Sequence, residues 1–548
     1  MNDQRISFEP ATPGLAEGHY SRAVSLWGEG REAESAEALD AALRAKPEFA
    51  EALSMGAYIL NRRGKAETAL RFYQRALGFK PDLAMAWSNM GKLLFDLDRI
   101  GEALAAFEAA RALLPLDADI HNSLAGALRW VGRLEESEAA AREALRLRPA
   151  FAEAALNWGT ALLKLGRVEE SLAAYRRASL ARPGYADALC GAGLALRALD
   201  RLDEARVAFD EAERLGSREA ISGKGCLDLT MGDFAKGWEG YEARWIAGKS
   251  LAEALGTRFP TWAGPGSDAR RVLVLNDHGL GDTIQFARYL DMMVRAGVAV
   301  TFVCPARMHR LLGARPGIRL VETPPAGETF DAQVPVSSLP RAFATRLDSV
   351  PAPIPYLSAE PGLAKTWAAR IGRSGYKVGV VWQGNPNPEA DMARSMPLAA
   401  FAPLAAIPRV RLISLQRGFG VEQLEALPPP MRVETLGEDF DAGPDAFVDA
   451  AAAMAGLDLV VTCDTSIAHL AGALGRPVWV ALKKDAEWRW LRNRDDSPWY
   501  PSMRLFRQPA AGDWSTVFAG IAAALAPLAR RGRAPGAAAP PEKAKRSG

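Results

Sequence analysis

The sequence predicts an all-α solenoid of helical repeats followed by an α/β region of two doubly wound lobes. Three observations carry that prediction. Pro47, Pro81, Pro115, Pro149 and Pro183 recur every 34 residues, as expected where a helix must stop before the next unit starts. On the same period a small residue (Ala69, Ala103, Ser137, Ser171, Ala205) stands four places before an aromatic knob (Tyr73, Phe107, Tyr175, Phe209), with Ala141 the exception. Past Arg271 the pattern becomes short apolar runs separated by helical stretches, which is how parallel βαβ units read.

The repeats hold the same beat at their turns, where a turn residue precedes a base: Gly30-Arg31, Gly64-Lys65, Asp98-Arg99, Gly132-Arg133, Gly166-Arg167 and Asp200-Arg201. Six helical pairs run from about Ala16 to Glu219, and a degenerate seventh covers Ala220 to Ile246. The copy containing Trp87, Met90, Gly91, Ala103, Phe107, Ala110 and Pro115 resembles the tetratricopeptide repeat in nearly every signature column. That resemblance implies a protein partner. In the seventh pair Phe234, Trp238, Tyr241 and Trp245 fall at i, i+4, i+7 and i+11, one helical stripe. An array needs a capped end or a docking surface where stacking stops, so the stripe is expected to seal the solenoid (16–249) onto the next domain. A ligand box is the alternative.

Composition narrows the function classes. A chain of 548 residues exceeds one core and should split into roughly three or four units. A net charge of +2 leaves no broad footprint for a nucleic-acid backbone. Cys190, Cys226, Cys304 and Cys463 lie far apart without metal-ligand spacing, and are expected as buried thiols. No basic-then-apolar signal opens the chain, and Val517 to Ala529 is too short an apolar stretch to span a bilayer. A cytoplasmic protein is expected. Residues 529–548, rich in Ala, Pro, Gly and bases, are expected to be a disordered tail.

The first α/β lobe (268–358) follows a Gly/Pro-rich connector, Phe259 to Asp268. Its expected strands are Arg271–Leu275, Val298–Val303, Arg319–Val321 and Phe330–Pro335, with helices from Thr283 and near Met308. Val350 to Tyr356, with three prolines, reads as an extended linker. The second lobe (374–528) is expected to have strands Lys377–Trp382, Val410–Leu415, Leu457–Thr462 and Pro477–Ala481. Its helices are expected near Leu398, Val421, Ala446 and Ser466. Two such lobes face each other across a cleft at the carboxyl ends of their strands.

Two constellations carry chemistry. Gly279-Leu280-Gly281-Asp282-Thr283 lies between a strand and a helix, where backbone amides can face an anion. A dinucleotide fingerprint needs a third glycine at 284, which is Ile284, and no P-loop motif is present. Asp282 is either the N-cap of a helix beginning at Thr283 or a cleft carboxylate able to take a proton from a hydroxyl. The second constellation, Cys463-Asp464-Thr465-Ser466-Ile467-Ala468-His469, ends a buried strand and opens a helix. It suits an anionic leaving group, or it is a capping residue and a core histidine. Gly384, Asn385 and, downstream, Arg394 and Ser395 add polar groups at the same edge. Arg394 offers a guanidinium fork for phosphate, and Gln416, just past a strand, is placed to touch a nucleoside.

These blocks, with Trp488-Arg489-Trp490, Asp496 to Pro501 and Arg504 to Gln508, resemble bacterial repeat-containing glycosyltransferases. Such proteins carry a heptosyltransferase-like GT-B domain of two Rossmann-like lobes behind a tetratricopeptide array, a layout similar to O-GlcNAc transferase. The resemblance implies a general base at Asp282. It implies donor contacts at Asp464, Thr465, Ser466 and His469, with Arg394 facing the phosphates; Gly279, Gly281, Gly384, Asn385 and Gln416, read from their own positions, complete the expected donor site. The nucleotide-sugar is then a co-substrate, with no cofactor and no metal. Asn89 and Asn157 share one repeat position and resemble asparagines that hold a peptide backbone in O-GlcNAc transferase. Pro388 stands where related members often carry a histidine, so that histidine's duty does not transfer. The expected activity is inverting transfer of a sugar to a protein hydroxyl, with flagellin as the readiest acceptor and a CMP-activated nonulosonic acid as one candidate donor. The alternatives are a scaffold with an inactive transferase fold, and a transferase acting on lipopolysaccharide or lipid-linked sugar.

Overall fold

The computed structural model describes residues 14–245, 259–386 and 394–531, in two compact units that meet in sequence between Ala192 and Gly193. In the first unit helices pack in consecutive pairs: Leu15–Gly28 with Glu32–Ala45, Ala50–Arg62 with Ala66–Phe79, Ala84–Asp96 with Ile100–Leu113, Ala118–Trp130 with Leu134–Leu147, and Ala152–Lys164 with Val168–Ala181.

Each sequence column has a physical cause in this unit. The turn residues Gly30, Gly64, Asp98, Gly132 and Gly166 all have positive φ, from 59° to 78°, a region that glycine enters freely and aspartate tolerates. The following arginines pair with a glutamate three places on, as in Arg99–Glu102, Arg133–Glu136 and Arg167–Glu170. Ala69 and Ala103 are fully buried. The serines of that column donate their hydroxyls to carbonyls of the paired helix, Ser137 to Ala125 and Ser171 to Gly159, both at 2.7 Å. A Cβ on Gly91 would stand 2.7 Å from the Phe107 ring, which is why the aromatic knob demands a glycine across from it.

A ladder of ion pairs also follows the repeat: Lys46–Glu17, Lys80–Glu51, Arg148–Asp119 and Arg182–Glu153. At the corresponding rung of the third repeat stand Leu114 and Met85, 41% and 52% exposed.

In the second unit the aromatic stripe is buried among loops of the α/β region. Trp238 donates Nε1–H to the Thr345 carbonyl at 2.8 Å, meets Trp488 edge-on at 5.2 Å, and Phe234 stacks on Trp499. One apolar cluster runs from Phe234 and Trp238 through Val272 and Val274 to Val480 and Trp499. The helical pair 218–241 therefore groups with the sheets, although the expected domain boundary lay beyond residue 249. The Trp245 side chain and the stretch 246–258 lie outside the described residues.

The first sheet has strands β1 (Arg271–Leu275), β2 (Ala299–Val303), β3 (Ile318–Val321) and β4 (Ala332–Pro335), all parallel, in the order β3-β2-β1-β4. The second has β5 (Tyr376–Val381), β6 (Val410–Ser414), β7 (Val433–Glu434), β8 (Leu459–Thr462), β9 (Val478–Leu482) and β10 (Met503–Arg507). Its order β10-β9-β8-β5-β6-β7 is the doubly wound 3-2-1-4-5-6 arrangement read from the other edge. The strand order reverses between β1 and β4 and between β5 and β8, all of them parallel, and the motif loops leave from β1, β5 and β8. The unforeseen strands are the two edges: β7 spans two residues, and β10 (Met-Arg-Leu-Phe-Arg) carries exposed charge on an edge.

Three sequence expectations need correction. The helix expected from Thr283 begins at Leu280 with Gly279 as N-cap, so Asp282 lies inside its first turn and caps nothing. The helix expected near Leu398 is a 3₁₀ turn leading into a single α-turn, Ala402–Ala405, and a 3₁₀ segment replaces the one expected at Val421. The last helix runs Trp514–Arg531, so residues 529–531 are helical. The remaining tail and Pro388 lie outside the described residues.

Arg288 ties the two sheets together. It is fully buried and donates to the carbonyls of Gln285 (2.9 Å), Pro351 (2.9 Å) and Trp499 (2.8 Å), while the Tyr356 and Tyr500 rings lie 4.7 Å from its guanidinium. Arg288→Ala should cost on the order of 3 kcal/mol, since it strips partners from buried carbonyls. Urea unfolding checks this, and a loss below about 1 kcal/mol would refute the pinning role. A double-mutant cycle for Met85→Glu and Leu114→Arg should show a coupling of only about 0.2–1 kcal/mol, the usual worth of an exposed pair.

Candidate functional site

The loops after β1 and β8 meet. A Cβ built on Gly281 would lie 3.1 Å from His469 Cδ2 and 3.3 Å from Ser466 Oγ, so the two helices that leave these loops touch at their first turns. Glycine at 281 thereby lets the two turns approach without displacing either side chain. Asp282 and His469, more than 180 residues apart in sequence, border one place.

Arg489 joins the two sides. The residue is 3% exposed; Nε–H donates to Gln285 Oε1 at 2.6 Å, Nη2 binds Asp282 Oδ1, and Nη1 binds Glu487 Oε2. A base must aim a lone pair at the acceptor. The Asp282 Oδ1 position is already given to Arg489.

On the β8 side, Thr465 is the N-cap of the helix Ser466–Ala473, and its hydroxyl lies 3.1 Å from that of Thr462. Asp464 does not cap: its Oδ2 accepts Trp490 Nε1–H at 2.8 Å. Burial, then the charge of Glu487, pushes the Asp464 carboxyl up to about 6, against the pull of Trp490, Arg394 and Arg489. His469 stacks on Trp490 with ring centroids 5.4 Å apart, and its Nδ1 lies 3.0 Å from the Tyr500 hydroxyl. Burial, followed by the cations of Arg489, Arg288 and Arg394, holds His469 well below its usual pKa. The imidazole is neutral at physiological pH and serves as a hydrogen-bonding group, not a cation.

Gly384 and Arg394 close the third side. Gly384 N–H donates to Ser395 Oγ at 3.0 Å, and a Cβ on Gly384 would press at 3.2 Å on the Arg394 guanidinium. Arg394 Nε is buried without a hydrogen-bond partner among the described residues. Asn385 is exposed beside it. Gln416 is a correction. Its Oε1 accepts the Trp382 and Gln383 amides, both at 3.1 Å, and its Nε2 donates to the carbonyls of Gln383 (2.9 Å) and Phe419 (2.8 Å). All four hydrogen-bonding positions of that amide are used, so Gln416 shapes the loop after β5 and has none left for a nucleoside.

Asn89 and Asn157 occupy equivalent places in the first helices of their repeats, both half-buried. Asn157 Nδ2 donates to Asn122 Oδ1 at 2.9 Å. Asn122 escaped the sequence analysis because it falls one place off the 34-residue register. Arg489 and Tyr500 fall within blocks that carry the family resemblance, yet their roles, like that of Arg288, have no local signature, as each acts on a loop far away in sequence. The dipeptide Asp277-His278, just past β1, adds a further pair of titratable side chains. A cavity of about 750 Å³ between Phe234, Arg346 and Pro498 includes none of the residues above in its lining, and its Arg494 is already paired with Asp496. Among the described residues, no helix is long and apolar enough to cross a membrane.

Residues 20–84, 88–154 and 156–220 match the tetratricopeptide repeat model, so this part of the chain is a run of tetratricopeptide repeats. The chain is 27% identical to Protein FlbA of Caulobacter vibrioides over 322 residues, 54% of this chain and 53% of FlbA. It thus spans about half the length of that relative. Among solved structures, YrrB, a TPR protein with an unusual peptide-binding site, matches at 25% identity over 34% of this chain and 98% of its own, TM-score 0.31. MamA matches at 21% identity over 30% of this chain and 96% of its own, TM-score 0.28. Pseudomonas aeruginosa pilF matches at 19% identity over 38% of this chain and 96% of its own, TM-score 0.35.

The raised Asp464 pKa makes a signed prediction. A carboxyl that titrates near 6 when folded and at its ordinary 3.8 when unfolded penalises the folded state increasingly as pH rises through that window. Asp464→Asn should therefore gain stability over the parent as pH rises from 4 to about 6, with a constant advantage above. Thermal melts across this range test it, and a pH-independent difference would contradict the assignment.

Proposed function

We propose that this protein is an inverting glycosyltransferase that moves a sugar from a nucleotide-sugar donor to a protein hydroxyl, the repeats holding the acceptor. One observation carries the reading: the Gly279–Asp282 turn and the Ser466 helix start abut at the carboxyl edges of two parallel sheets, the edge where doubly wound folds bind ligands. On one side lie Thr465, Ser466 and the backbone amides of a helix start, with Arg394 opposite. A helix N-terminus and a guanidinium fork are matched to a phosphate leaving group. Losing one such donor typically costs about 2.7–4 kcal/mol of barrier. The tetratricopeptide repeats support a protein acceptor, with Asn89 and the Asn122–Asn157 pair as candidate peptide contacts and flagellin as the first acceptor to test.

The ion pair between Asp282 and Arg489 favours one competing reading, a scaffold whose transferase fold does not turn over. Thermal shift with UDP, CMP, GDP and ADP separates the two. One nucleotide should stabilise the protein, by about 2.7 kcal/mol at 100 times its dissociation constant. Arg394→Ala should weaken that binding about tenfold or more, because a charge-assisted contact is lost. Labelled donor incubated with cell lysate should then mark a protein band. Absence of any nucleotide shift supports the scaffold, and label entering glycolipid would replace the protein acceptor with a lipid-linked one.

A further inference from the structure

Asp277 and His278 follow β1 in the loop immediately before the glycine turn, and the donor site proposed above uses neither. The Asp277 side chain has no exposed surface and lies 3.3 Å from Arg244 Nη2. It accepts the Ser337 amide at 3.1 Å and the Ser337 hydroxyl. Its Oδ2 stands 3.1 Å from His278 Nδ1. At the other end of the ring, Nε2 meets the Tyr241 hydroxyl at 3.1 Å. Hydroxyl, imidazole and buried carboxylate stand in the order of a hydrolytic triad. The approach of Asp277 to Nδ1 is an ion-pair contact outside hydrogen-bond alignment; with the Nδ1 proton on that side, Nε2 is the accepting nitrogen and Tyr241 donates to it.

We infer that Tyr241, His278 and Asp277 form the relay that removes the acceptor's proton in the proposed transfer. The inference rests on the transferase reading. As the acceptor oxygen bonds to the anomeric carbon, the bond from that carbon to the donor phosphate oxygen breaks, and its electron pair leaves with the nucleotide. The acceptor's proton passes to the Tyr241 oxygen while Tyr241's own proton passes to His278 Nε2. Asp277 stabilises the imidazolium so formed. Arg489 neutralises Asp282 through Oδ1, and of the relay the His278 side chain keeps 28% of its surface exposed and Tyr241 6%. Tyr241 belongs to the last helical pair, Arg218–Met231 and Phe234–Tyr241, so the sheets alone would lack the first member of the relay.

The charges around His278 set its pH range. Asp277 and Asp282 face it from its own loop and helix, Tyr241 and Arg244 from the helical segment, and Glu487 and Arg489 from the loop after β9. Burial alone would lower the imidazole's pKa. The close contact and charge of Asp277, joined by Asp282, outweigh that effect and the opposing Arg489, leaving it above its ordinary value. Proton acceptance needs the neutral ring, so turnover should fall as pH drops through the raised pKa.

Nucleotide release by the full chain tests the relay, with water as acceptor and UDP-N-acetylglucosamine, UDP-galactose, GDP-mannose and CMP-N-acetylneuraminate as donors. His278→Gln and Tyr241→Phe should each lower kcat about 100-fold, the scale of general-base help. KM should stay within about threefold, and His278→Gln should erase the acid limb of the profile. With five histidines in the chain, carbon-13 labelling resolves the His278 titration. It should lie above the ordinary histidine range and fall in Asp277→Asn. Parent protein that releases nucleotide from no donor sinks the transferase reading and the relay together. Parent turnover matched by either relay variant sinks the relay alone. If a variant folds poorly, the parent and Asp277→Asn titrations decide, and a His278 pKa indifferent to Asp277 overturns the proposal.

Discussion

The buried guanidinium of Arg489 is the constraint on which the rest of the site depends. Taking such a charge out of water costs several kcal/mol unless its donors are satisfied. Here they are satisfied by groups from both sides of the α/β region: Asp282 and Gln285 from the helix after β1, and Glu487 from its own loop. The requirement runs both ways. The loop after β9 cannot withdraw without stranding Arg489, and the first turn after β1 cannot shift without losing its counter-charge. Arg288 repeats the device with carbonyls and aromatic rings in place of carboxylates. Its neighbour Tyr500 also holds His469. Two arginines thereby fix the distance between the turn that carries Asp282 and the helix that carries His469.

Much of the fold was legible because it is local or periodic. The 34-residue columns are imposed by contacts inside one helical pair: a left-handed turn at Gly64 or Asp98, a ring at Phe107 against a bare backbone at Gly91. Apolar runs such as Val272–Leu275 and Leu459–Thr462 announce strands buried on both faces. Edge strands escape for the opposite reason. β10 is interrupted by the bases Arg504 and Arg507 and needs β9 beside it to become a strand. The start of the helix at Leu280 was misplaced because Asp282 is a good capping residue, and a glycine took that position instead.

The site was legible only as separate segments. Gly281, Ser466 and His469 could be singled out from their place after buried strands, and the structure brings them into contact. What the segments do to one another was not legible. Arg489 stands 207 residues from Asp282, so nothing local warns that the carboxylate is engaged. Gln416 reads as an available polar side chain until the backbone groups of Trp382, Gln383 and Phe419 are seen to consume it. Tyr241 first reads as one ring of an apolar stripe. Its hydroxyl on His278 gives it a second role that helical periodicity cannot reveal.

The contact between Gly91 and the Phe107 ring carries a consequence beyond its own repeat. A stacked array is nearly one-dimensional, so each pair takes its orientation from the pair before it. A methyl group wedged at 2.7 Å would tilt one helix slightly, and every later pair would inherit the tilt like a small error at the base of a spiral staircase. The curvature of the whole array, and with it the spacing of any ligand contacts spread over several repeats, is therefore set by single missing carbon atoms.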